Sequence, residues 1–209
     1  MLCNIAYLYD HQEAQVGART DTRQRMVTGA ALLIGERGVA GTSIAGVLEQ
    51  SRSPRGSVGF HFPGGRAELL SDALRWVGGL VSARLREGVE QGVAPTDLYR
   101  AICEQYRDQL ADTEYTAGCP IGAAAQEAYA DDDLGPVVAE IVGEWVSLLT
   151  EALVRAGHRP DEAGDIALLC VSSLEGAIMM ARVTSSPRPL ALTLAAMTPL
   201  LAAPDATGN

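Results

Sequence analysis

Eight apolar residues, Leu69, Leu70, Ala73, Leu74, Val77, Leu80, Val81 and Leu85, recur at steps of three and four. That spacing lines one face of a helix; a strand, with its period of two, would scatter them over both faces. The pattern holds elsewhere. Over 21–37 it gathers Met26, Val27, Ala30, Ala31, Leu33 and Ile34 before Gly38 stops the run. Ile44, Val47 and Leu48 mark a short helix ending near Gln50, which Thr42 or Ser43 can cap. Further helices are expected over 95–111, 121–130, 134–156, 161–184 and 189–201. No β alternation and no internal repeat appears, so the expected fold class is all-α.

The stretch "SPRGSVGFHFPGG", 53–65, breaks this regularity. Ser53 can serve as N-cap and Pro54 suits a first helical position, yet Pro63-Gly64-Gly65 ends the helix within about two turns. So short a helix is marginal alone. Its apolar content is sparse, with Val58 and Phe62 as the inward anchors. Preceded by two helices and a tight turn at 51–53, it completes a helix-turn-helix. In that motif the second helix of the pair enters the major groove while the one before it crosses the backbone. Pro54, Arg55, Ser57, Phe60 and His61 then face DNA, with Thr42, Ser43 and Arg66 beside them. Arg55 can donate bidentately to guanine, and Thr42, Ser57, His61 and Arg66 can meet phosphates. Each has a plainer alternative: Arg55 as a surface arginine, His61 as a packing residue, Arg66 as partner to a helix-face acid.

Charge supports DNA despite a net −10. Residues 19–86 hold ten arginines against five acids, a net of +5, while 87–209 hold six against nineteen, a net of −13. A basic N-terminal module on an acidic body suits a DNA reader with a separate second domain. The chemistry of enzymes finds little here. His11, His61 and His158 have no metal-ligand spacing, and no GxGxxG, phosphate loop or GxSxG occurs, so neither an enzyme nor a bound cofactor is expected. Cys3, Cys103, Cys119 and Cys170 are dispersed, as reduced core thiols of a cytoplasmic protein would be. The N-terminus lacks a basic start and meets Asp10 and Glu13 early, unlike a secretory signal. The apolar run at 166–183 contains Glu175 and Arg182 and reads as a buried helix, with no membrane partner expected.

Residues 42–70, "TSIAGVLEQSRSPRGSVGFHFPGGRAELL", resemble the DNA-binding region of TetR-type transcriptional regulators, and from Pro54 onward the LmrA/YxaF-like branch. "GCPIGAAAQEA" and "LEGAIMMARV" resemble segments of that branch's regulatory domain. The resemblance implies an all-α homodimeric repressor bound to a palindromic operator and released by a small-molecule inducer. It divides the chain into an N-terminal extension at 1–20, either disordered or an extra arm, and a helix-turn-helix domain at 21–65. A connecting helix at 66–88, a ligand-binding and dimerisation domain at 89–203 and a loose tail at 204–209 follow. Two departures stand out: Gly59 where the family commonly has an aromatic, and Arg52 where the turn normally has glycine. They keep a second reading in view, an all-α ligand-binding or protein-interaction module whose DNA binding is weak or lost.

For the ligand, Tyr106, Gln126, Tyr129, Trp145, Glu175 and Met179 combine apolar bodies with a few polar groups, as pocket linings do. The apolar helices expected at 161–184 and 189–201 exceed what one subunit covers; pairing them with a second copy in a four-helix bundle would hide them.

Overall fold

A computed structural model of the chain describes residues 18–127 and 131–204. Most of the expected N-terminal extension, Tyr129 and the tail beyond Pro204 lie outside those residues. Every regular element described is a helix. In order they are α1 (Ala18–Arg37), α2 (Ile44–Gln50), α3 (Ser57–His61), α4 (Gly65–Glu90), α5 (Pro95–Asp112), α6 (Pro120–Glu127), α7 (Leu134–Arg155), α8 (Pro160–Thr184) and α9 (Arg188–Leu201). The chain forms two compact units, one comprising the described residues up to Gly79 with Thr116–Ile141, the other Leu80–Tyr115 with the described residues from Val142 onward.

The first unit is built on the α1 face read from periodicity: Met26, Val27, Ala30, Ala31, Leu33 and Ile34 are all buried. Val47 of α2, Val58 and Phe62 at α3, and Leu69, Leu70, Ala73, Leu74 and Val77 of α4 close the core. Gly38 (φ +75) ends α1 in the left-handed region that glycine adopts without strain. α6 packs against α1. The carbonyl of Gly35 accepts from the Gly118 amide at 2.9 Å. This attachment brings residues 116–141 into the first unit. Further along α4, a Cβ built on Gly78 would come within 2.6 Å of Ile141 Cγ2, whereas one on Gly79 would meet nothing within 4 Å. The helix continues through both glycines, so Gly78 answers a close approach to α7.

In the second unit α5, α8 and α9 pack on one another. Leu98, Tyr99, Cys103, Tyr106 and Leu110 of α5 and Cys170, Leu174, Ala177, Ile178 and Ala181 of α8 are buried, Leu98 against Val89 and Ala152. α8 opens at Pro160 with Asp161 and Glu162 in its first turn, where carboxylates favour the helix dipole. It closes on Ser185 in the left-handed conformation, with the Ser186 amide donating to Ala181 at 3.1 Å. Leu168, Leu169, Met179, Met180 and Val183 are exposed, as are Leu192 and Leu200 of α9. By length and composition α8 could also cross a membrane.

Candidate nucleic-acid interface and ligand cavity

α2 and α3 are set by side-chain bonds to the backbone. Ser43 is the N-cap of α2, its hydroxyl accepting from the Gly46 amide at 3.1 Å. Ser51 ends α2, donating to the Val47 carbonyl at 2.6 Å, and its own carbonyl accepts from Arg25 Nε at 3.2 Å. Arg52 follows with φ +49. The turn that ordinarily uses glycine is thus kept by an arginine, held in a region costing a non-glycine residue roughly 1–2 kcal/mol. Ser53 does not cap α3. It bonds to Ser51 at 2.9 Å, and residues 54–56 form a turn in which the Ser57 amide donates to the Pro54 carbonyl at 3.0 Å. The helix expected from Pro54 therefore begins only at Ser57, after a Gly56 N-cap that supplies no capping side chain.

Val58 and Phe62 are buried, as their spacing implies, and the Arg23 guanidinium lies 4.9 Å from the Phe62 ring centre. Pro54, Arg55, Gly56, Gly59 and Phe60 are exposed on the other side, with Ser57 and His61 half-buried. Ser43 is exposed too, and its hydroxyl proton is not used by its capping bond. Three expected phosphate contacts have other work. The Ser57 hydroxyl donates to the Pro54 carbonyl at 2.5 Å. Thr42 is fully buried and donates to the Gly38 carbonyl at 2.8 Å. Arg66 donates through Nε to the Thr42 carbonyl at 2.9 Å and through a second nitrogen to the Val39 carbonyl, bracing the connector between α1 and α2.

Most of the arginines behind the +5 charge are similarly occupied. Arg23 pairs with Asp72 and Arg75 with Glu140, while Arg25 bonds to Ser51 and Thr22. Among the described arginines of the first unit, the guanidinium groups of Arg52 and Arg55 make no hydrogen bond or ion pair and stand exposed on either side of Ser53-Pro54. One residue missed from the sequence is Glu127. Its carboxylate accepts from the Val39 amide at 3.0 Å and the Ala40 amide at 2.7 Å, on the same connector that Arg66 braces. A partner so distant along the chain leaves no local signal.

The second unit holds a partly open cavity of about 30 Å³, room for a water or two. Of the expected lining residues, Tyr106, Trp145 and Glu175 surround it, together with Tyr99, Ile102 and Cys170. Gln126 belongs instead to the exposed surface of α6, and Met179 to the outward face of α8. Tyr129 lies outside the described residues. Tyr99 could have been found by spacing: it sits seven residues before Tyr106 on the buried face of α5. Its hydroxyl donates to the Cys170 carbonyl at 3.2 Å. Burial pushes the neighbouring thiols up, Cys103 to about 11 and Cys170 to about 12. Neither is the activated thiolate that sensing by covalent attack requires.

A short exposed helix held by a helix-turn-helix core, with a separate helical unit around an apolar cavity, defines a helix-turn-helix transcriptional regulator. The LmrA/YxaF-like transcriptional regulator C-terminal domain model matches residues 95–196. An HTH-type transcriptional regulator of Mycobacterium tuberculosis is 42% identical over 176 residues, spanning 81% of this chain and 89% of that one. The HTH-type transcriptional regulator LmrA of Bacillus subtilis is 25% identical over 81% of this chain and 91% of its own. The fold matches the crystal structure of the regulatory protein TetR from Rhodobacter sphaeroides at TM-score 0.75, with 19% identity, across 86% of this chain and 98% of that one. The chain belongs to the TetR family and is a DNA-binding transcriptional regulator.

Proposed function

We propose that the protein is a homodimeric repressor that holds a palindromic operator and lets it go when a small molecule enters its second unit. The observation carrying this reading is the outward face of α3. Ser57, Phe60 and His61 share a helix, with Arg55 in the turn leading into it, whose folding duties are discharged by Val58 and Phe62 alone. Arg55 is the base-reading residue, donating to guanine O6 and N7; Ser43 and His61 are the phosphate contacts, and Ser57 joins them only by releasing its hydroxyl from the Pro54 carbonyl. The helix-turn-helix occupies 21–65, 66–88 connects it, and 89–203 senses ligand and dimerises.

Dimerisation uses the uncovered stripe of α8 and α9. Met179, Met180 and Val183 follow Leu168 and Leu169 along one helix face, and Ser172 and Gly176 between them leave space for a partner's side chains. Such a patch on a monomer marks an interface. Two reading helices related by a two-fold axis read half-sites about one helical turn or a multiple apart. The ligand is apolar over most of its surface, since Tyr99, Tyr106, Ile102 and Trp145 form the wall. The cavity must widen to accept it, and that widening favours one DNA affinity over the other.

Selection from a random duplex library tests the reading directly. A pseudo-palindrome is expected, bound by a dimer in sedimentation. Enrichment of no sequence over random duplex would refute operator binding, and a monomer at micromolar concentration would refute the interface.

A further inference from the structure

Phe60 is 81% exposed, more than any other large apolar side chain among the described residues. Its described ring contact is His61, edge-on with centroids 4.9 Å apart. Gly56 and Gly59 beside it leave open space. The core beneath is already closed by Val58 and Phe62. Folding therefore gains nothing from this phenyl ring, and leaving it in water forgoes the free energy of burying it.

The chemistry of the ring limits what it can meet. Phenylalanine has no donor or acceptor, so neither a phosphate oxygen nor a base amide can satisfy it. The arginines flanking the same turn, Arg52 and Arg55, attract the phosphate backbone and bring this face to a duplex. Within the major groove the one apolar group on a base edge is the C5-methyl of thymine. From this we infer that Phe60 is a specificity-determining residue that reads a thymine methyl, once per half-site. The inference rests on α3 being the reading helix. It places part of the sequence preference in a hydrophobic contact and leaves Arg55 the hydrogen-bonded part.

Uracil tests it, because it keeps every hydrogen-bonding group of thymine and lacks only the methyl. In the duplex selected by the wild-type protein, each symmetry-related pair of thymines is replaced by uracil in turn. At one pair the affinity should fall about fifteenfold, the burial of one methyl group in each half-site. Phe60→Ala, which removes an exposed side chain and should melt as the wild type does, should bind the thymine duplex correspondingly weaker. It should also be indifferent to uracil at that pair. Affinity unchanged by uracil at every thymine would overturn the inference, as would a Phe60→Ala protein that stays sensitive at the same pair. If the wild type selects no sequence, operator reading itself has failed and this contact with it.

Discussion

Glu127 holds the amide of Ala40 at 2.7 Å and that of Val39 at 3.0 Å. The two amides follow the end of α1 and begin the connector to α2, so one carboxylate acts as a distant cap for the helix-turn-helix. Gly38 must stay small for the same reason. A Cβ there would approach Glu127 Oε1 to 2.2 Å, at a backbone φ of +75. Replacing Glu127 with Ala strands both amides and should lower unfolding free energy by about 1–3 kcal/mol. Glu127→Gln, which keeps one acceptor, should lose less. Urea titration of the two variants would show the order; equal stability of Glu127→Ala and wild type would contradict it.

Adjacent glycines in α4 should respond oppositely to the same change. Gly78→Ala drives a methyl into Ile141 and should cost about 1–3 kcal/mol. Gly79→Ala enters open space and should stabilise by about 0.5–1 kcal/mol, as alanine does inside a helix. Thermal unfolding resolves the pair. A matching gain at both positions would contradict the close approach of Ile141 to Gly78.

Arg52 and Arg66 separate charge from structure. Arg52→Gly relieves the left-handed strain but frees the unfolded chain, leaving stability within about 1 kcal/mol of wild type. It should nonetheless reduce the salt dependence of DNA binding by about one unit per protomer. Arg66→Ala removes the brace on Val39 and Thr42, so melting temperature should fall while the salt slope stays near wild type. The reverse assignment would restore Arg66 as a phosphate contact.

Salt itself gives a count. If only Arg52 and Arg55 of each subunit are free to neutralise phosphates, log affinity should fall against log salt with a slope of about −4. Ten charges, the naive doubling of +5, would give about −9. A measured slope near the larger value would require the internal pairs of Arg23, Arg25 and Arg75 to open on DNA.

Alkaline pH should expose the buried cluster of the second unit. Burial raises Cys103 from an ordinary 9.0 to about 11 and Cys170 to about 12, and raises Tyr99 as well. Their pKa values are higher in the folded state, so the folded chain keeps protons that the unfolded chain releases. Stability is constant with respect to these groups below about pH 9 and falls as pH rises from there through 11 to 12. Cys103→Ala with Cys170→Ala should flatten the decline in a series of thermal melts. A wild-type curve already flat from pH 8 to 11 would contradict it.

The helices were legible because their stripes are regular: all six residues assigned to the α1 face are buried, and both α3 anchors are. Element ends were less so. Ser53 and Pro54 carry good start signals, but Ser53 is engaged by Ser51 and the helix waits until Ser57. Thr42 and Arg66 look outward in sequence, being polar beside a reading helix. Their side chains nevertheless turn to main-chain carbonyls that only the folded connector presents. Half the expected cavity lining was found, because Tyr106, Trp145 and Glu175 lie on inward faces of periodic helices, while Met179 follows the buried Ile178 around α8 to the outside.

With α3 anchored by Val58 and Phe62 alone, its remaining positions are released from the demands of the core. Gly59 and Phe60, with Arg55 in the turn before them, can be exchanged without disturbing a single buried contact. A duplicated copy of this gene could therefore acquire a new address on the genome in a few substitutions while remaining fully folded at every step. Evolution of the target and evolution of the scaffold proceed on separate residues.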